Sequence, residues 1–71
     1  MPIPEMEPVE SSAVAGIGYD IEAEEAYVKY LGGGLYVYEG VPAEVFEDLM
    51  HAESKGAFVN AMIKEYPVRE I

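Results

Sequence analysis

Cysteine is absent from this 71-residue sequence, and histidine occurs once. Without cysteine there are no disulfides, thiolate metal sites or cysteine nucleophiles. A single histidine excludes a multi-histidine metal cage within one chain. Basic residues are scarce: four Lys and Arg face fourteen Asp and Glu, for a net charge of −10. That balance opposes loose binding to nucleic acid or to anionic membranes, which needs counter-charge. It leaves room for a small local basic site. No apolar run approaches the ~20 residues of a membrane span. No basic start followed by a hydrophobic stretch suggests a signal peptide. The expectation is a soluble, cytoplasmic protein with no membrane partner and no cofactor. Hydrophobic residues make up 51% of the chain, which suits one folded domain and is too many for a disordered one.

Residues 1–10 read as an acidic, proline-rich arm. Pro2, Pro4 and Pro8 remove backbone donors and favour extended neighbours, and Glu5, Glu7 and Glu10 keep the arm solvated. A first strand is expected from Ser12 to Tyr19, ending near Asp20, although Gly16 and Gly18 signal a bulge or a close backbone approach. Asp20 to Glu25 forms an acidic turn. Ala26 to Leu31 is a second strand, with Ala26, Val28 and Tyr30 on one face. Gly32, Gly33 and Gly34 mark a hairpin turn. Leu35 to Tyr38 is a third strand, with Tyr36 and Tyr38 sharing a face. Pro42 suits a helix start. Val45, Phe46, Leu49 and Ala52 then form an apolar stripe at helical spacing. A break falls near Glu53, and Ser54 is placed to cap a second helix. Its stripe is Phe58, Val59, Met62, Ile63 and Tyr66, and Pro67 ends it. The fold class is therefore α+β: a three-stranded antiparallel β-meander followed by two α-helices packed on one face. The domain spans 11–67, and 68–71 is a short tail.

Several separated pieces carry a family resemblance. They are Val9-Glu10-Ser11-Ser12, Gly18-Tyr19-Asp20, Leu35-Tyr36-Val37-Tyr38-Glu39-Gly40-Val41-Pro42 and Ala52-Glu53-Ser54-Lys55-Gly56-Ala57-Phe58-Val59-Asn60, with Ile63-Lys64 beyond. In order and spacing the chain resembles the KTSC domain over roughly residues 9 to 66. That family occurs as short stand-alone prokaryotic and phage proteins and at the C-terminus of some lysyl-tRNA synthetases. RNA binding has been suggested from the synthetase context, so the resemblance implies it as an expectation. Two departures run against RNA here. Val37 stands where the family often has a polar or basic residue. Only Lys64 and Arg69 remain of the basic residues common in the final helix and tail.

Two groups of residues are candidate binding sites. Ser54, Lys55 and Gly56 at a helix start, continued by Asn60 and Lys64 along one side, are the residue types that hold a phosphate. The competing structural reading makes Ser54 a cap and Gly56 a close-packing residue. Tyr19, Tyr36 and Tyr38 are candidates for base stacking or a protein interface. The competing reading half-buries them, along with Tyr27, Tyr30 and Tyr66, leaving their hydroxyls in water.

Three other groupings are weaker. Asp48, His51 and Ser54 have the residue types of a hydrolytic triad but no evident oxyanion donor. Glu47 and His51, one helical turn apart, make half a metal site at most and read as a salt pair. Glu22, Glu24 and Glu25 read as a solvated turn.

No catalytic residue is assigned, and an enzyme is not expected. The expected function is a non-catalytic binding module acting on another protein or on itself. The first alternative is binding of RNA, a nucleotide or another phosphorylated ligand. The second is an acidic inhibitor that mimics nucleic acid by charge.

Overall fold

The computed structural model describes residues 4–9, 13–61 and 63–71, with Lys64 described in its backbone only. The expectations resting on Ser11, Ser12, Met62 and the Lys64 side chain lie outside the described residues. The sheet has five strands: β1 (Glu7–Pro8), β2 (Val14–Asp20), β3 (Glu25–Tyr30), β4 (Leu35–Glu39) and β5 (Val68–Glu70). They lie in the order β1-β2-β3-β4-β5, and every pair is antiparallel. Helices α1 (Ala43–His51) and α2 (Lys55–Ala61) and a 3₁₀ turn (Ile63–Glu65) separate β4 from β5.

The three central strands match the expected meander. The expected count of three is corrected to five, because both flanking segments join the sheet. Glu7 and Pro8 of the acidic arm pair with Ile17 and Gly16. Pro8 lacks an N–H, which an edge strand tolerates. The expected tail pairs with β4, placing Tyr36, Val37 and Tyr38 opposite Glu70, Arg69 and Val68. Two backbone bonds bracket this pairing: Glu39 N–H donates to Pro67 at 2.8 Å and Ile71 N–H to Leu35 at 2.9 Å. The second helix is shorter than its apolar stripe suggested. It ends at Ala61, and the chain tightens into the 3₁₀ turn that leads into β5.

Local chemistry explains the turns. At the first hairpin, Asp20 Oδ1 accepts from the N–H groups of Glu22 (3.1 Å) and Ala23 (3.2 Å). The second hairpin needs positive φ at Gly33 (101°) and Gly34 (87°), which glycine supplies without strain. Pro42 is the N-cap of α1 rather than its first helical residue. Ser54 caps α2: its Oγ accepts from the Ala57 N–H at 3.3 Å, and its carbonyl accepts from the Phe58 N–H at 3.0 Å.

Strand β2 carries an irregularity between Val14 and Gly16. Val14 pairs with Tyr30 and Ile17 with Val28, so one extra residue is absorbed between them. The bulge puts Val14 and Ile17 on the same face despite their odd spacing. Both are fully buried there with Ala26, Val28 and Tyr38, against Val41, Leu49, Val59 and Ile63. The helices therefore cover the sheet face that bears Tyr36 and Tyr38.

The opposite face carries Gly18, Tyr27, Val37 and Arg69 in register. Tyr27 and Val37 are buried there. A Cβ on Gly18 would come within 2.7 Å of the Met6 sulfur and 3.0 Å of the Glu5 carbonyl oxygen. The arm thus takes the space a side chain at position 18 would need. No described helix is long and apolar enough to cross a membrane.

Candidate functional site

The structure separates the tyrosines into two groups. Tyr19 lies apart from the other two candidates and is held by two contacts of its own. Its hydroxyl donates to the Val41 carbonyl at 2.6 Å, and its ring stacks on Phe46 with centroids 4.7 Å apart. Burial, helped by the nearby charges of Glu24 and Asp20, pushes its phenol pKa up. Tyr27 lies on the opposite face, with its hydroxyl 3.5 Å from a Glu25 carboxylate oxygen.

Tyr30, Tyr36 and Tyr38 instead converge. They line an open pocket of about 520 Å³ with Gly32, Gly33 and Val68. Register brings them together. Tyr36 and Tyr38 of β4 face Val28 and Ala26 of β3, so they share the Tyr30 face of the sheet. Tyr38 is the inner member, 3% exposed, while Tyr30 and Tyr36 are half-buried. No described helix residue lines the pocket, which opens between the glycine hairpin and the β5 edge.

The pocket is internally ordered. The hydroxyls of Tyr30 and Tyr38 are hydrogen-bonded at 2.7 Å. The rings of Tyr30 and Tyr36 sit 5.4 Å apart at 78°, so two walls meet near a right angle. Burial, then the bond with Tyr38 and its neighbouring phenol, raises the Tyr30 pKa well above its ordinary value of 10.0. The Tyr30 phenol is therefore neutral at physiological pH. A Cβ on Gly34 would lie 3.0 Å from the Tyr36 ring and 3.3 Å from a Glu70 carboxylate oxygen, which puts Glu70 at the rim.

The helix-start residues are occupied with structure. Ser54 is the cap described above. The Lys55 ammonium donates to the Ala52 carbonyl at 3.3 Å, closing the end of α1. Gly56 is half-buried, and Asn60 is exposed on α2. No hydrogen bond or ion pair joins Asp48, His51 and Ser54 among the described residues, and Glu47 and His51 are exposed. Among the described residues, no three metal-ligating side chains come together.

The profile of the KTSC domain matches residues 10–66. This chain belongs to the KTSC domain family. A KTSC domain protein from Yersinia pestis has a crystal structure that superposes with a TM-score of 0.91 at 35% identity, covering 94% of this chain and 96% of that one. A protein of Tsukamurella paurometabola is 49% identical over 59 residues, 83% of this chain and 88% of that protein. An uncharacterized protein of Stutzerimonas stutzeri is 39% identical over 56 residues, 79% of each. The three pocket tyrosines lie within the matched KTSC span. Val68, which completes the pocket wall, lies just beyond it.

Sequence reasoning singled out Tyr36 and Tyr38 and grouped Tyr19 with them. It placed Tyr30 on the Ala26 and Val28 face without making it a site residue, and it missed Val68. Both signals for Tyr30 had been read, the shared Val28 face and the glycine hairpin that brings β4 alongside; what was not drawn from them is that Tyr30 then joins Tyr36 and Tyr38. Val68 carried no comparable signal, because β5 pairs across both helices.

Proposed function

We propose that this KTSC domain is a non-catalytic protein-interaction module. It takes an extended segment of a partner at the β5 edge, and the tyrosine pocket receives one of that segment's side chains. The observation that carries the reading is the pocket of Tyr30, Tyr36 and Tyr38 opening beside the terminal strand of the sheet. A terminal strand offers unpaired backbone groups to an added strand, whose alternate side chains then fall on one face. Val68 and Ile71 are exposed at that edge. The net charge of −10 sets two copies of the chain against each other, which favours a different protein as partner over self-association.

RNA or nucleotide binding draws less support. Among the described side chains, no basic residue lines the pocket to hold a phosphate. The test is an amide-shift titration of the whole chain with short extended peptides. Saturable shifts at Gly32, Gly33 and Val68 support the reading. Shifts confined to Ser54 to Asn60 on adding RNA would replace it with the nucleic-acid alternative.

A further inference from the structure

We propose that the side chain taken by the pocket is an arginine, so that the partner segment is basic. This rests on the pocket reading above and names its ligand chemistry.

Four observations converge. The first is ring geometry. Aromatic faces attract cations through their quadrupole, and a planar guanidinium also stacks on them. Tyr30 and Tyr36 set two ring walls at 78°. The second is the acid at the rim, where Glu70 stands beside Gly34 and the Tyr36 ring. The third is the placement of the basic groups. Lys29 and Arg69 alternate away from the tyrosine face, and Arg69 is held by Glu25 and Glu39. The Lys55 ammonium is bound to the Ala52 carbonyl. Among the described side chains, none brings a positive charge to the pocket lining. The fourth is the charge of the whole chain, −10, which steers a basic segment toward it. Arginine suits the site better than lysine: its flat fork can lie on a ring while its N–H donors reach phenol and carboxylate oxygens. A phosphate or a carboxylate would meet tyrosine faces and Glu70 with no cation among the described side chains to offset them.

The experiment titrates the whole chain with three peptide amides, followed by amide shifts. These are Gly-Val-Arg-Val-Gly and its counterparts with citrulline or glutamate at the centre. Citrulline keeps the shape of arginine and loses the charge. The expected result is saturable shifts at Gly32, Gly33 and Val68 with the arginine peptide. The citrulline peptide binds more weakly by roughly 2- to 30-fold, and the glutamate peptide produces no shift. Tyr36→Leu weakens the arginine peptide by a similar factor, while Tyr36→Phe, which keeps the ring, holds it. Glu70→Gln lowers affinity and flattens its dependence on salt. Equal binding of the arginine and citrulline peptides overturns the arginine proposal and leaves the peptide-binding pocket standing. Adenosine monophosphate moving the same amides while the arginine peptide does not also overturns it, in favour of a nucleotide. No response at the pocket to any of these probes overturns both readings.

Discussion

The hydroxyls of Tyr30 and Tyr38, on neighbouring strands, lie 2.7 Å apart and tie the inner wall of the pocket to its outer one. Tyr38 is buried among the core residues, and Tyr30 packs against that core from the rim. The bond anchors the half-buried Tyr30 to the buried Tyr38. Tyr38→Phe should cost about 1 kcal/mol, the net worth of one hydrogen bond. It should also loosen the Tyr30 ring. Chemical denaturation reads the first effect. Line-broadening of the Tyr30 ring signals reads the second. An unchanged Tyr30 ring would show that packing alone positions it.

Three buried or half-buried phenols set an alkaline limit on stability. Tyr19, Tyr27 and Tyr30 all have pKa values raised above the ordinary 10.0, with burial the largest cause in each. Above that value the unfolded chain releases these protons more readily than the folded one. The unfolded state then binds fewer protons, so stability falls as pH rises. Stability should be insensitive to these groups below about pH 9 and decline from about pH 10 upward. Tyr30→Phe should make that decline shallower. Denaturation midpoints across an alkaline pH series check this, and an undiminished slope in the variant would remove Tyr30 from the account.

Arg69 reconciles two carboxylates that the sheet forces together. Glu25 and Glu39 are directly opposed across β3 and β4. The Arg69 guanidinium reaches Glu25 at 3.0 Å and Glu39 at 3.4 Å from the β5 edge. Its side chain is 48% exposed, so solvent screens both pairs. Arg69→Gln should cost about 0.5–1 kcal/mol at low salt and less at high salt. A loss that does not shrink with ionic strength would point to packing instead.

Gly18→Ala should displace the arm. The added methyl would meet the Met6 sulfur and, less forgivingly, the Glu5 carbonyl. A cost of about 1–3 kcal/mol is expected for overpacking at a site where backbone must give way. Met6→Ala alongside it should recover only the sulfur's share, because the carbonyl contact remains. The measurements are thermal unfolding and the amide shifts of Glu5 to Val9. An arm left in place in Gly18→Ala would refute the close approach.

Ser54→Ala should cost about 1 kcal/mol through the lost cap of α2. Peptide binding at the pocket should be unaffected. A variant that abolished binding while keeping its stability would restore the helix-start residues as a site.

Much of the fold was legible in the chain. The glycine run announced the second hairpin, and the Tyr36–Tyr38 alternation gave the face. Ser54 announced its helix, and Gly16 with Gly18 signalled a bulge or a close approach, of which the chain has both. These signals are local, carried by residues within a turn or two of what they specify. The two outer strands were not legible. Glu7–Pro8 reads as solvated arm, and Val68–Glu70 is too short for an alternating pattern to stand out. Both become strands only because a neighbouring strand offers its open edge, a tertiary effect that overrides local propensity. The pocket was half legible for the same reason. Its tyrosines belong to one hairpin, whereas its last wall comes from beyond both helices.

That last wall has a dynamic consequence. Strand β5 has three residues, all exposed, and it pairs with β4 only after the chain has passed through both helices. Contacts that are few, short and distant in sequence are the first to open in a native protein. The amides of Glu39 and Ile71 should therefore exchange with solvent sooner than those of β2 and β3. Each opening would swing Val68 away from Tyr36 and Tyr38 and widen the mouth of the pocket. A ligand seated there would have to hold the strand closed, so its affinity would include the free energy of that local closure. Slowed exchange at Glu39 would then report occupancy of a site several residues away.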